Sequence, residues 1–323
     1  MGIKNCTLTL LVLVSGTFAQ VNFPRPVKEP VLEPTIFADG LISTGDYEVS
    51  QEFAPDGKTL YFVKSSPDMN FWTLVFSRFE KGRWTQPKVA SFSGHYSDAD
   101  PFISADGKRM LFISRRPLDG SADTKPKDLD IWEVEKQPNG DWGKPHNLGA
   151  TVNSNQNEYF PTLANDGTLY FGSRRVGGKG GVDLYRSRLV GGKYAEPENP
   201  GDAVNTQSDE FEPFISPDQS FMIFMAGGRA DGIGGFDLYV SYNEKGNWTK
   251  AENLGAPINS AADELSARIT RDGKFFFWTS ARNDFLAWPQ KPASGDVFNR
   301  LRRSRNGLDD IYYISTSALK LKV

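Results

Sequence analysis

Cysteine and histidine are almost absent from this sequence. Cys6 is the only cysteine, and His95 and His146 are the only histidines. A zinc centre built from clustered Cys and His is therefore excluded, as is a fold stapled by disulfides. No G-x-S-x-G, P-loop or Rossmann fingerprint occurs, so the commonest nucleophile and nucleotide signatures are missing. The glycines at 177–181 and 232–235 lie between strands and open no helix, as a phosphate loop would require. Basic charge is not in excess: 37 Lys and Arg face 40 Asp and Glu. Basic residues crowd together only at Arg302, Arg303 and Arg305, which reads as a solvated loop. Nucleic acid is excluded as a partner on that balance.

Long apolar runs are also missing. Residues 8–14 form the one candidate, and they are too few to span a bilayer. Lys4 precedes them, and Thr17 and Ala19 supply the small residues of a cleavage site. Residues 1–19 are thus expected to be a signal peptide, residues 20–33 a linker, and 34–323 a single domain. Cys6 stands ahead of the apolar run and is not placed like a lipid-anchor cysteine. The mature chain is expected to be periplasmic or secreted, monomeric and without a membrane span. The alternative is that the uncleaved segment anchors it.

What the sequence does have is a repeat, which has to be sought before anything else because it decides the fold. Five segments share one pattern, at 48–62, 98–112, 158–171, 210–224 and 264–277. Each is anchored on an aspartate: Asp56, Asp106, Asp166, Asp218 and Asp272. An apolar strand precedes the aspartate and another follows it, usually across Asp-Gly, which is a hairpin signal. A third strand follows in each unit, at 73–79, 130–136, 183–189, 237–243 and 310–316. A fourth begins near an aromatic residue in the first four units, at 84–90, 142–153, 194–205 and 248–259.

The fifth unit has no fourth strand after residue 316, while residues 34–43 belong to no unit. The fold class expected is therefore all-β: a five-bladed β-propeller of four-stranded antiparallel blades. The N-terminal strand completes the last blade, a closure that leaves only short, protected edges. An open solenoid would need caps, and none is visible.

The string of D-E-x-x-P-x-I-S-P-D-G-x-x-L-Y-F, S-x-R, G-G-x-D-L-Y and W-x-x-x-x-N-L-G-x-x-I-N-S resembles the TolB-type WD-like propeller repeat. Units two to four carry it best, and it covers nearly the whole chain after residue 34. The resemblance implies a propeller without the additional domain of TolB. It implies partner binding only by analogy.

Eight residues before each turn aspartate stands an acid: Glu48, Asp98, Glu158, Glu210 and Glu264. These begin the innermost strands and are expected to ring the mouth of the central channel. Asp100 and Glu212 lie two residues further along. A second ring follows the second strand, with Arg116, Arg175, Arg229 and Arg282. The third strands then open with Asp130, Asp183, Asp237 and Asp310. Both rings lie on one end of the propeller, the ring face, opposite the Asp-Gly turns. Two readings stand side by side. The rings are ion pairs that hold strands and blades together, or part of them touches a ligand. Glu158, Arg175, Asp183, Glu210, Glu212, Arg229 and Asp237 fit the first reading.

Departures from the repeat point to function. Blade one has 64–73 in place of the Arg and Asp pair, with Phe71 and Trp72. The arginine-to-aspartate separation is 8 in blades three and four, 14 in blade two and 28 in blade five. Loops of that length serve binding or cover a site. The expected ligand surface is therefore Phe71, Trp72, Asp98, Asp100, Arg116, Glu264, Arg282, Phe285 and Trp288. The aromatics could instead fasten the long loop to the blade tops.

The function favoured is an exported module binding a protein, peptide or carbohydrate on the ring face. The alternative is a glycoside hydrolase-like enzyme using channel carboxylates, with Glu48, Asp98, Glu264 and His95 as candidates. No organic cofactor is expected. Calcium at the channel mouth is the one metal considered, since it would relieve repulsion among the acids.

Overall fold

The computed structural model describes residues 30–119, 128–285 and 293–322. Five antiparallel sheets follow one another around a ring. Blade one is Tyr47–Phe53, Thr59–Ser65 and Trp72–Glu80, edged by Arg83–Trp84 and Lys88–Val89. Blade two is Asp98–Ile103, Arg109–Ser114, Asp130–Glu135 and His146–Asn147. Blade three is Glu158–Leu163, Leu169–Ser173 and Asp183–Ser187, with a single bridge from Arg186 to Glu198 at its rim. Blade four is Asp209–Ile215, Phe221–Gly227 and Phe236–Glu244, edged by Asn247–Trp248 and Glu252–Asn253. Blade five is Glu264–Ile269, Phe275–Ser280 and Asp310–Ser315, and its outer strand is Thr35–Ile36.

The outer strands are much shorter than the sequence pattern suggests. One or two residues pair in each outer stretch of blades two and three, and blades one and four are each edged by two two-residue strands, because Gly or Pro interrupts the rest of every fourth segment. The N-terminal segment is similar. Thr35 faces Tyr313 and Ile36 faces Tyr312, while Val31 and Phe37 extend the ladder by backbone bonds to Ser315 and Ile311. The extended part is thus 31–37 and not 34–43. A helix, Ser294–Leu301, stands inside the long loop of blade five and buries none of its residues. The repeat gives no hint of it.

The turn chemistry acts as read. Asp56 accepts the Lys58 and Thr59 amides at 2.7 and 2.9 Å, and Gly57 takes φ 62°. Apolar residues of the second and third strands pack between blades. Leu60, Phe62, Phe112, Phe171, Phe224 and Phe277 are all without exposed surface. At roughly 1.5–3 kcal/mol for each large apolar side chain, this burial is the main stabilising term. Phe37 wedges into the seam between blades five and one. Its ring meets Phe277, Trp84 and Tyr313 edge-on at 5.2, 5.5 and 5.8 Å.

Phe37→Ala is expected to cost about 3–5 kcal/mol in urea unfolding. Removing residues 30–43 is expected to lower the melting temperature by far more. An unchanged denaturation midpoint in both variants would mean that this segment does not hold the seam.

Candidate functional site

The five inner-strand acids are not at an open channel mouth. Glu48, Asp98, Glu158, Glu210 and Glu264 all have zero exposure. Each is the centre of a clasp at the point where the chain enters its blade. In blade three, the Ser154 amide and hydroxyl donate to Glu158 at 3.1 and 2.6 Å. The Ser173 hydroxyl donates at 2.8 Å, and Arg175 closes the fourth side at 3.4 Å. Blades four and five repeat this with Thr206 and Arg229 on Glu210 and with Ser260 and Arg282 on Glu264. In blade two, Arg116 lies 2.6 Å from Asp98. Blade one uses Lys64, 3.0 Å from Glu48, with Thr44 as its hydroxyl. The sequence reading missed Lys64 because it looked for arginine.

Each arginine also binds the entering chain. Arg116, Arg175, Arg229 and Arg282 donate to the carbonyls of Phe92, Val152, Val204 and Ile258. Their guanidinium planes lie over aromatic rings of their own blade, such as Phe171 and Tyr185 for Arg175, at 5.1 and 4.9 Å. Burial raises the pKa of Glu48, Asp98, Glu158 and Glu264, and the hydrogen bonds and cations oppose it. An expected channel ring is therefore a set of buried clasps. Glu48, Asp98 and Glu264 have no free face on which to act as catalysts.

The connection is also zipped to the preceding blade. Asn153, Asn205 and Asn259 each bond both the amide and the carbonyl of one third-strand residue, Ile131, Leu184 and Leu238. Ser43 does the same for Ile311 in blade five. The third-strand aspartates hold loops. Asp183 accepts the Lys179 and Gly180 amides, and Asp237 those of Ile233 and Gly234. Gly180 and Gly234 are obligatory, since a Cβ there would overlap the carbonyls of Ser208 and Ala262 on the next connection.

The residues that do face the channel lie two positions after the clasp acids. Ser50, Asp100, Phe160, Glu212 and Ser266 have φ of 54°, 53°, 48°, 52° and 56°. Every inner strand has a register shift there. Such bulges re-aim a side chain, and here they turn five toward the axis. The Ser50 hydroxyl and Phe160 amide donate to Asp100 at 2.8 and 3.1 Å. Ser266 donates its amide and hydroxyl to Glu212 at 2.6 and 3.0 Å. Arg268 lies 3.9 Å over the Phe160 ring from across the channel, and it pairs with Glu52 at 3.0 Å. Burial raises Asp100, and burial with the Asp100 charge pushes Glu212 up to about 8. Asp100 and Glu212 form no ion pair within 4.0 Å among the described residues, and the nearby Arg268 pairs with Glu52 instead. Glu212, read from sequence as part of the structural ring, thus belongs with Asp100 in the channel.

The two ends of the propeller carry two sizeable cavities. One of about 670 Å³ opens on the Asp-Gly turn face, walled by Phe53, Leu163, Ile215 and Ile269 and floored by Glu52 and Arg268. Its walls are repeat-equivalent positions, so the repeat itself builds it. The other, about 880 Å³, lies on the ring face over blade five, with Arg282, Asp284, Arg305 and Tyr312. Phe71 is 40% exposed and Phe285 43%, whereas Trp72 is half-buried under Arg115. Trp288 lies outside the described residues. His95 is exposed against Tyr96 and faces no clasp acid. No group of three or more acidic, His or Cys side chains among the described residues is disposed to hold a metal, so the calcium expectation gains no site.

The sheets define the class: this is a five-bladed β-propeller. Comparison with known proteins finds solved structures to which the chain is similar. The chain is similar to a protein assigned as TolB from Agrobacterium tumefaciens, at 14% identity over 84% of this chain and 90% of that one, TM-score 0.47. It is similar to the catalytic domain of a GH62 alpha-L-arabinofuranosidase from Coprinopsis cinerea, at 11% identity over 88% and 94%, TM-score 0.49. A puromycin-hydrolyzing peptidase of Mycobacterium tuberculosis matches at 15% identity over 73% of this chain and 34% of the peptidase, TM-score 0.39. No family model and no curated protein matches.

Glu212 supplies a test of the channel. Its folded pKa is raised above the unfolded value, so the native state binds its proton more tightly. The associated stability is fully present below pH ~4.5 and is lost as pH rises toward about 8. Calorimetry across that window is expected to show a fall in melting temperature that Glu212→Gln flattens. An equal fall in the variant would mean that Glu212 is ionised throughout.

Proposed function

We propose that the chain is an exported binding module that takes a protein, peptide or glycan on its ring face. The observation that supports this is the commitment of all five inner-strand carboxylates to clasps. Each is buried and each holds a hydroxyl or a cation, or both. A hydrolase needs a carboxylate pair that meets substrate, and the clasp acids meet only their own blade. Export rests on the N-terminal sequence: Lys4, the apolar run 8–14 and the small residues at 17 and 19.

A second reading, a glycan-active hydrolase, is favoured by one observation. Asp100 and Glu212 are channel carboxylates without an ion pair, and their environments push their acidities apart, as an acid–base couple requires. Asp100 is, however, only 7% exposed, so substrate reaches it only if the plug opens.

A panel of polysaccharides and oligosaccharides separates the two. The binding reading expects no release of reducing ends above that of an Asp100→Asn, Glu212→Gln double variant. Turnover by the natural protein that vanishes in the double variant would establish the enzyme instead.

A further inference from the structure

On the ring face blade five differs from blades three and four, and this deepens the binding reading above, on which it rests. In blades three and four the third-strand aspartate is saturated from within. Asp183 accepts two neighbouring backbone amides and the Asn199 side-chain amide, at 2.7, 2.9 and 3.1 Å. Asp237 accepts the same pair of amides and the Asn253 side chain. Two residues on, the Tyr239 hydroxyl donates to Asp231 at 3.0 Å.

Blade five has the same aspartate and tyrosine without these partners. Its glycine loop is replaced by the long segment between Arg282 and Asp310. Its outer strand comes from the N-terminus, and there Ile36 faces Tyr312 where Asn253 faces Tyr239 and Asn147 faces Trp132. The side-chain amide is lost with that exchange. Asp310 keeps one bond, from the Arg305 amide at 2.7 Å. Its Oδ1 and the Tyr312 hydroxyl are both buried without a hydrogen-bond partner among the described residues. The two residues are 1% and 2% exposed, and they lie on one face of their strand, being two apart. A buried polar atom left unpaired costs about 1–3 kcal/mol, and here a carboxylate oxygen and a hydroxyl are left so on one strand face, where blades three and four satisfy the carboxylate from within.

Tyr312 lines the ring-face cavity of about 880 Å³. Glu33, Asp263 and Asp284 line the cavity against Arg282 and Arg305. Arg282 pairs with Glu264, and Arg305 pairs with Asp284 at 3.7 Å, so Glu33 and Asp263 leave the cavity acidic. What blades three and four supply to the aspartate is a pair of adjacent N–H donors. A guanidinium presents the same fork and carries the charge that this cavity calls for.

We propose that blade five is a recognition site for an arginine side chain of a peptide or protein ligand, with Tyr312 at its base, Asp310 behind Tyr312 on the same strand face, and Asp263 and Asp284 on its wall. The guanidinium takes the place that the glycine loop fills in blades three and four.

The test uses the full chain with the probe N-acetyl-Gly-Arg-Gly-amide. Its counterpart with citrulline, which keeps the shape and loses the charge, is the control. Titration calorimetry is expected to show binding of the arginine peptide at least tenfold tighter than that of the citrulline peptide. Tyr312→Phe and Asp284→Asn are each expected to weaken it several-fold at unchanged melting temperature. Tyr185→Phe in blade three is expected to leave it intact. Equal binding of the two peptides, no binding of the arginine peptide, or full binding by both blade-five variants would each overturn the site. A ligand whose binding responds to Phe71→Ala but not to Tyr312→Phe would sink this inference while leaving the ring-face reading in place.

Discussion

A buried carboxylate held by a hydroxyl and a cation, and in four of the five blades by a backbone amide as well, stands at the entrance to every blade, and the ring depends on it. Propeller blades touch mainly through apolar faces, and apolar contact alone does not fix how far one sheet slides against the next. The clasp supplies that register. Glu158 ties its own second strand through Ser173 and Arg175 to the entering chain at Ser154 and Val152. Asn153 ties the same entering chain to the third strand of blade two. One short connection thus joins two sheets, and the pattern recurs around the ring. Removing one partner of such a pair leaves a buried charge, a loss of about 3–5 kcal/mol. The burial that makes each clasp strong is also what withdraws it from solvent chemistry.

The channel follows from a second constraint, the bulge. Five non-glycine residues adopt left-handed backbone at equivalent positions, each at a cost of order 1–3 kcal/mol. The cost recurs in every blade, which marks it as a property of the fold. Its effect is to aim one side chain per blade at the axis. What varies is the chemistry placed there: two serines, two acids and a phenylalanine. The serines and the Phe160 amide satisfy the acids, and Arg268 stacks on Phe160 to balance their charge. The result is a polar plug and not an open pore.

Much of this was legible from residue order, and the rest was hidden for definite reasons. The repeat, the blade count and the positions of the Arg and acid rings could all be read, because Asp-Gly turns and alternating apolar residues are local signals. Burial could not, since an acid at a strand start looks alike whether it faces a channel or a clasp. The Ser or Thr four residues before Glu48, Glu158, Glu210 and Glu264 was the available clue, and it was overlooked. Lys64 escaped because it breaks the arginine pattern while keeping the charge. The bulges gave no sign at all: Ser, Asp, Phe, Glu and Ser share no composition that announces positive φ, and only the two-for-one register with the second strand creates it. The helix Ser294–Leu301 lay in a segment that the repeat does not constrain.

Function in such a molecule has to be sought where the repeat fails. A feature present in all five blades serves the ring, because the ring needs it five times. The clasps, the bulges and the walls of the turn-face cavity are of this kind. Blade five differs because two chain segments build it. The N-terminal strand closes the seam with Phe37 and Ser43, but at the register of Asn147 and Asn253 it brings Ile36, which has no amide to give. In sequence, the long segment 283–309 stands where blades three and four have their glycine turn. Glycine has also changed sides. Gly180 and Gly234 sit in the loop of the earlier blade, whereas at the closure the small residue is Gly45 in the connection, with the Arg302 backbone lying against it. Closing the ring with a strand from the other end of the chain thus gives one blade a different edge. Polar atoms of Asp310 and Tyr312 are left there without partners among the described residues, beside an acidic cavity.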